Sequence, residues 1–125
     1  MKLNNSPLCQ SLGVTPTLEL LSFFIAHRDF DYSKTELANN IELSRQTIYK
    51  ALEPLVNFKL VVESRKIGNT TLYKLNINSE SVKAIQTYND SIVNLIIKKE
   101  RKIYKQEKRN VRDVIDQLKM GQGKG

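Results

Sequence analysis

Four long side chains with hydrogen-bond donors lie near the start of one short segment, at Arg45, Gln46, Tyr49 and Lys50. A guanidinium, an amide, a phenol and an ammonium can hydrogen-bond to the edges of nucleic-acid bases or pair with phosphates. This is the chemistry of recognising a polyanion, and it needs a rigid element that presents the four groups together.

The spacing around these residues predicts two helices joined by a tight turn. Ser33 and Glu36 have the spacing of a capping box, which starts a helix near Lys34. Ser44 can cap a second helix, whose apolar side chains should face a core: Ile48, Ala51, Leu52, Leu55 and Val56. The four polar side chains are then left on its open side. A plain helical hairpin with a solvated basic face has the same spacing, so the pattern alone leaves both interpretations open.

Composition and charge limit the size of the folded core and indicate the type of binding partner. A chain of 125 residues with 40% hydrophobic residues can form one core of ordinary size. The net charge of +7 and the pI near 9.6 suit a polyanionic partner. Residues 1–97 hold ten Lys and Arg against nine Asp and Glu, whereas residues 98–125 hold ten against four. The excess positive charge therefore lies in the C-terminal segment.

The cellular location is inferred from the cysteine count and from the absence of long apolar runs in the sequence. One cysteine, Cys9, excludes an internal disulfide framework, and no apolar run is long enough for a membrane span or a signal peptide. We therefore expect a cytoplasmic protein with no membrane partner. Binding to DNA would make it nucleoid-associated.

The remaining segments predict a small domain and an appendage. Residues 1–14 are expected to be a short arm, and Thr15 followed by Pro16 starts an amphipathic helix. Two β-prone runs around Gly68 and Asn69 predict a hairpin. Alternation within the second run predicts three core-facing side chains, Tyr73, Leu75 and Ile77.

From Ser79 no proline or glycine occurs before Gly121, which predicts one long helix. Its apolar side needs a partner, and the simplest partner is the same helix of a second chain. The candidate dimerisation residues are Ile85, Ile92, Leu95 and Ile96. Like charges in residues 98–102 favour a break or flexible joint there. The predicted organisation is an N-terminal arm (1–14), a DNA-binding domain with its dimerisation helix (15–97) and a basic helical tail (98–125), disordered from Met120.

The segment ELANNIELSRQTIYKALEPLVNFKLV followed by ESRKIGNTTLYKL resembles the winged helix-turn-helix regulators of the ArsR, MarR and PadR type in bacteria and archaea. The resemblance covers about residues 15–97. The Leu37-Ala38 pair, the Ser44 cap and the Leu60-Val61 entry to a glycine turn lie where that family has them. The implied fold class is mainly α with a small β-hairpin wing (α+β), a winged helix-turn-helix with a long C-terminal helix.

This resemblance implies that the second helix lies in the major groove of double-stranded DNA. Its implied contact residues are Ser44, Arg45, Gln46, Thr47, Tyr49 and Lys50. The wing would reach the adjacent minor groove or phosphates through Arg65, Lys66, Asn69 and Thr70. Family members are usually dimers through terminal helices. Metal-sensing members need clustered cysteine and histidine, which the single Cys9 and His27 cannot form, so no metal or cofactor is expected.

The leading hypothesis is a homodimeric, sequence-specific regulator of transcription. The alternative is a DNA-organising or plasmid-partition adaptor that spreads on DNA and recruits a partner protein through its basic tail. A third possibility is a winged helix that serves only protein contacts. An enzyme is not expected, because no paired carboxylates, nucleophile with a base, metal cluster or glycine-rich phosphate loop stands at a useful spacing.

Overall fold

The computed structural model describes residues 5–122, and the side chains of residues 5–119. The elements in chain order are α1 (Pro7–Leu12), α2 (Pro16–Ala26), α3 (Lys34–Ile41), α4 (Arg45–Asn57), β1 (Val61–Ile67), β2 (Thr70–Leu75) and α5 (Glu80–Gln122). The expected fold class is confirmed: the chain is mainly helical, with one antiparallel hairpin and a long C-terminal helix. Two compact units follow each other, one ending at Ile92 and the other beginning at Val93.

The two central helices begin and pack as their spacing predicts. At the start of α3, the Ser33 hydroxyl accepts from the Glu36 amide at 3.1 Å, and the Glu36 carboxylate accepts from the Ser33 amide at 3.0 Å. The apolar face of α4 is buried at Ile48, Ala51, Leu52 and Leu55 and partly buried at Val56. This face joins residues of α1, α2, α3, both strands and the start of α5 in a single core: Leu8, Leu20, Phe23, Phe24, Leu37, Val61, Leu75 and Val82.

The N-terminal segment contributes to this core through α1. Leu8 and Cys9 are buried, so Cys9 acts as a small apolar side chain. The Ser6 hydroxyl caps the helix and lies 2.8 Å from the Ser22 hydroxyl of α2. Leu8 and Cys9 thus attach α1 to the core, whereas Asn5, Gln10, Ser11 and Leu12 are exposed.

The hairpin forms around the predicted turn. β1 and β2 pair on either side of Gly68 and Asn69, and Gly68 has a φ of +61°, in the left-handed region. A Cβ atom added at Gly68 would meet no atom within 4 Å, so the tip of the hairpin is open. The register shifts at Ser64, which leaves that residue as a bulge between Glu63 and Arg65.

Two of the three side chains predicted to face the core along the second strand are buried. Tyr73 and Leu75 are buried, whereas Ile77 is 48% exposed, so its predicted core position is wrong. The reason is that the strand ends at Leu75. Beyond it the chain turns onto the loop after α4, where the Asn76 side chain donates to the Lys59 carbonyl at 2.9 Å.

An isolated bridge between Tyr32 and Tyr73 attaches the hairpin to the helices. Each backbone amide donates to the other residue's carbonyl at 2.8 Å. The Tyr32 ring also packs edge-on against Phe23 of α2, with 4.8 Å between ring centres. A two-stranded hairpin is marginal by itself, and this bridge ties the wing to the core.

The helix α5 begins after Ser79, whose hydroxyl caps it by accepting from the Val82 amide at 3.3 Å. The helix is continuous through residues 98–102, so the expected break is wrong. It also continues to Gln122, into the segment for which disorder is predicted; residues 123–125 lie outside the described part of the chain. No helix within residues 5–122 is long and apolar enough to span a lipid bilayer.

Candidate nucleic-acid interface

The exposed side of α4 carries the four predicted recognition side chains. Arg45, Gln46 and Lys50 are exposed, and Tyr49 is 49% exposed. We call these four residues the open face of α4. Because the opposite side of the helix is buried, the helix cannot rotate without losing its core contacts, and the orientation of the open face is fixed by packing.

The first turn of α4 is suited to an anion. The Ser44 hydroxyl accepts from the Thr47 amide at 3.1 Å, and the two hydroxyls lie 2.8 Å apart. No acidic residue occupies this first turn. The partial positive charge of the helix start is therefore not offset by a carboxylate of that turn, and Arg45 adds a full charge to it.

Lys34 belongs to this surface, although the sequence does not single it out. Its Nζ atom lies 4.3 Å from the centre of the Tyr49 ring and 5.8 Å from the centre of the Tyr73 ring. Both distances are within the range of a cation–π interaction. Lys34 is the first residue of α3, so the sequence pattern identified it only as a helix start. No local spacing relates it to a tyrosine on the next helix or on β2.

Two hollows flank this contact. The wing-side hollow has a volume of about 230 Å³ and brings the start of α3, Tyr49 of α4 and the hairpin tip to one concave surface. The other three residues of the open face, Arg45, Gln46 and Lys50, do not line it. Its lining is Ser33, Lys34, Thr35, Tyr49, Asn69, Thr70, Thr71 and Tyr73. The helix-side hollow has a volume of about 250 Å³ and follows α4 through Leu52, Glu53, Val56 and Asn57. Lys34, Tyr49 and Tyr73 line both hollows and so form the wall between them.

The predicted wing residues divide into two groups. Asn69 and Thr70 share the wing-side hollow with Tyr49. Arg65 and Lys66 are exposed on β1 and do not line that hollow. Thr35 and Thr71, which the sequence does not single out, add two hydroxyl groups to the surface.

Arg65 is held by an ion pair with Asp31, in the segment before α3. Its Nε atom donates to Asp31 Oδ2 at 2.9 Å, and the Ser64 hydroxyl donates to the same oxygen. These two donors, Arg65 first, lower the pKa of Asp31 below its ordinary value of 3.8, and the carboxylate raises the pKa of Arg65. The Arg65 side chain is still 63% exposed, so its pairing leaves one side of the guanidinium open to solvent.

The candidate dimerisation residues differ in their surroundings. Ile85 packs against the core of its own chain, and Ile92 and Ile96 are half-buried. Leu95 is 59% exposed, which leaves an apolar side chain uncovered on α5.

The second unit carries a line of cations along α5. Lys98, Lys102, Lys105, Arg109 and Arg112 follow each other at alternating separations of four and three residues, and all are exposed. This spacing places them on one side of the helix, and we call them the basic stripe. Within residues 5–122, no group of three or more histidine, cysteine, aspartate or glutamate side chains could hold a metal ion.

The known proteins that this chain resembles are described as transcription regulators. No protein-family model matches the chain. The transcriptional regulatory protein DcuR of Escherichia coli is 36% identical over 80 residues, which cover 61% of this chain and 34% of that protein. The chain therefore spans about one third of the length of this curated relative.

Solved structures match over most of the chain. MepR, a transcription regulator of the Staphylococcus aureus multidrug efflux pump MepA, has a TM-score of 0.57 at 17% identity, covering 89% of this chain and 84% of MepR. A MepR mutant bound to an oligodeoxyribonucleotide has a TM-score of 0.56 at 17% identity, covering 90% of this chain and 84% of that one. BldR of Sulfolobus solfataricus has a TM-score of 0.53 at 15% identity, covering 78% of this chain and 67% of BldR. At such identities the likeness shows the fold.

Proposed function

We propose, from the winged helix-turn-helix fold that the chain shares with these regulators, that the protein is a sequence-specific, double-stranded DNA-binding regulator of transcription. It acts as a homodimer, with α4 in the major groove and the wing on the adjacent minor groove or backbone. The open face of α4 reads base edges, and Ser44, Thr47 and the wing residues Arg65, Lys66, Asn69 and Thr70 contact the sugar-phosphate backbone or the minor groove.

The proposal rests mainly on one observation: Tyr49, on the open face of α4, and the hairpin tip line the same concave surface. Tyr49 of α4 and Asn69 and Thr70 of the wing line one hollow. A duplex in contact with α4 would then also meet the hairpin tip. Lys34 supplies positive charge at this surface, and Arg45 and Lys50 add two exposed charges on α4, which supports binding to phosphates.

Dimerisation is supported by uncovered apolar side chains on α5. Leu95 is exposed, and the half-buried Ile92 and Ile96 lie within one helical turn of it. A second copy of the same helix would remove these side chains from water. Two recognition helices related by a two-fold axis would then bind half-sites about one helical turn apart, or about 34–36 Å.

Selection from a randomised duplex library tests the proposal. We expect the protein to enrich one sequence with two-fold symmetry, and footprinting to show one bounded site for each dimer. If no duplex shifts in a binding assay at low salt, the protein does not bind DNA, and a winged helix that makes only protein contacts becomes the better description.

The basic stripe favours a second candidate function. Cations along one side of α5, outside the winged-helix body, suit an additional contact with DNA beyond the recognised site or with an acidic partner protein. An adaptor that spreads along DNA would use such a contact. Footprinting separates the two functions, since spreading extends the protected region as protein concentration rises, while a regulator protects a region of constant length.

A further inference from the structure

Tyr49 lies at the centre of the proposed interface with little packing around it. The residue is 49% exposed and borders two hollows of about 230 Å³ and 250 Å³. A side chain flanked by open space can exchange between rotamers at little cost. A ring that exchanges in this way must be immobilised when it binds, and that loss of freedom reduces affinity and selectivity.

Lys34 supplies a restraint on this ring. Its ammonium lies 4.3 Å from the centre of the Tyr49 ring and 5.8 Å from the centre of the Tyr73 ring. Tyr73 is a fixed reference, because it is buried and its backbone is hydrogen-bonded to Tyr32 in both directions. The ammonium therefore links an exposed ring on α4 to a fixed ring on β2.

The backbone that carries Lys34 is itself well fixed. Lys34 follows Ser33 directly, and the reciprocal hydrogen bonds between Ser33 and Glu36 hold the first turn of α3. The lysine side chain thus extends from a defined point towards the two rings.

We propose that Lys34 is a positioning residue for sequence recognition. Its ammonium holds the Tyr49 ring beside the wing, so that Tyr49 is already oriented when DNA arrives. This inference rests on the proposed function and deepens it. The competing description is that Lys34 acts only as a point charge for a phosphate. In that case its removal would weaken binding to every duplex by the same factor.

The contact can be tested first in the free protein. Protons on the carbon next to Lys34 Nζ should be shifted upfield in NMR spectra by the Tyr49 ring current. We expect this shift to fall in Tyr49→Leu and to persist in Tyr49→Phe, which keeps the ring. A wild-type spectrum with no upfield shift at Lys34 would overturn the inference without reference to DNA.

The effect on recognition is measured as a ratio of two affinities. One duplex carries the sequence that the wild-type protein enriches from a randomised library, and the other has the same composition in shuffled order. We expect Lys34→Met to lower the ratio by about two- to fivefold, the range that an exposed cation–π contact supplies. Lys34→Arg keeps a cation over the ring and should restore the ratio.

Two further variants make the test specific. Lys66→Met removes one positive charge from the wing without touching Tyr49, and should weaken binding to both duplexes while leaving their ratio unchanged. Lys34→Met combined with Tyr49→Leu should have the same ratio as Tyr49→Leu alone, because the lysine then has no ring to orient. Melting temperatures show that each variant is folded at the assay temperature.

The outcomes distinguish this inference from the function on which it rests. If the wild-type protein enriches no sequence, the proposed function fails and the inference fails with it. If the wild-type protein enriches a sequence but Lys34→Met leaves the ratio unchanged, or its effect adds fully to that of Tyr49→Leu, only the role of Lys34 is overturned.

Discussion

The guanidinium of Arg65 donates to the carboxylate of Asp31 and links the first strand of the wing to the segment that enters α3. Tyr32, the neighbour of Asp31, pairs with Tyr73 on the other strand. Two consecutive residues of one segment therefore hold both strands of the hairpin. The wing is connected to the body by a charged contact and by a backbone bridge.

The charged contact predicts a dependence of stability on pH. The pKa of Asp31 is lower in the folded protein than the ordinary aspartate pKa of 3.8. The ionised carboxylate therefore stabilises the fold at a pH above 3.8, and this stabilisation is lost as the pH falls through the lowered pKa of the folded state. Asp31→Asn should therefore lose less stability than the wild type between neutral and acid pH. Thermal unfolding across this range measures the difference. Asp29→Asn removes a nearby carboxylate outside the pair, and an identical pH profile for the two variants would contradict the prediction.

Arg45→Ala tests the role of the open face of α4. If Arg45 makes a bidentate contact with a base, its loss should weaken binding to the selected duplex by about 1–3 kcal/mol, with a smaller effect on a shuffled duplex. Arg28→Ala removes the same charge from an exposed position after α2 and serves as the control. An equal loss of affinity for both duplexes in Arg45→Ala would assign Arg45 to the phosphates instead.

Truncation after Ile97 tests the basic stripe. If the stripe lies on DNA, removal of residues 98–125 should reduce the slope of log affinity against log salt concentration, because fewer counterions are released on binding. Titrations at several salt concentrations give the slope. A matched full-length variant with Lys102, Lys105 and Arg109 changed to Gln keeps the helix and removes only charge. An unchanged slope in both proteins would place the stripe away from DNA.

Leu95→Glu tests the proposed dimer. Leu95 is exposed within one chain, so the substitution should leave the monomer folded while placing a charge in the apolar contact between two copies of α5. We expect the dimer dissociation constant to rise by at least about tenfold, as measured by light scattering during size-exclusion chromatography. Asn94→Glu adds the same charge at the preceding exposed position. A dimer that survives in Leu95→Glu would show that Leu95 is outside the interface.

Lys59→Gly should stabilise the fold. Lys59 has a φ of +58°, a left-handed conformation in which a Cβ atom is unfavourable and glycine is not. We expect a gain of about 0.5–1 kcal/mol and a melting temperature higher by a few degrees. Lys59→Ala removes the same charge but keeps a Cβ atom, so it should not show this gain. Equal melting temperatures for the two variants would exclude backbone strain at this position.

Local signals in the sequence account for most of the fold. The caps at Ser33, Ser44 and Ser79 act on amides three residues away, and the hairpin follows from a glycine at the turn. The break expected in residues 98–102 does not form, because repulsion between like charges costs only about 0.2–0.5 kcal/mol per pair. That is too little to interrupt a helix without proline or glycine.

The contacts that shape the candidate site lie beyond the range of such signals. Arg65 and Asp31 are 34 positions apart, and no periodic pattern relates them. Lys34 and Tyr49 lie on different helices, and they meet only because α3 and α4 share a core with the hairpin. The open face of α4 could be predicted because one helix determines it. The proposed role of Lys34 could not be predicted in this way, because the contact depends on the relative positions of α3, α4 and β2.

The open tip of the hairpin has a consequence for engineering. Since a side chain at Gly68 would point into open space, this turn is the place where the hairpin could be lengthened with the least disturbance of the packed core. In the proposed complex, the reach of the wing would therefore change independently of α4, and designed variants could differ in that reach while retaining the same body.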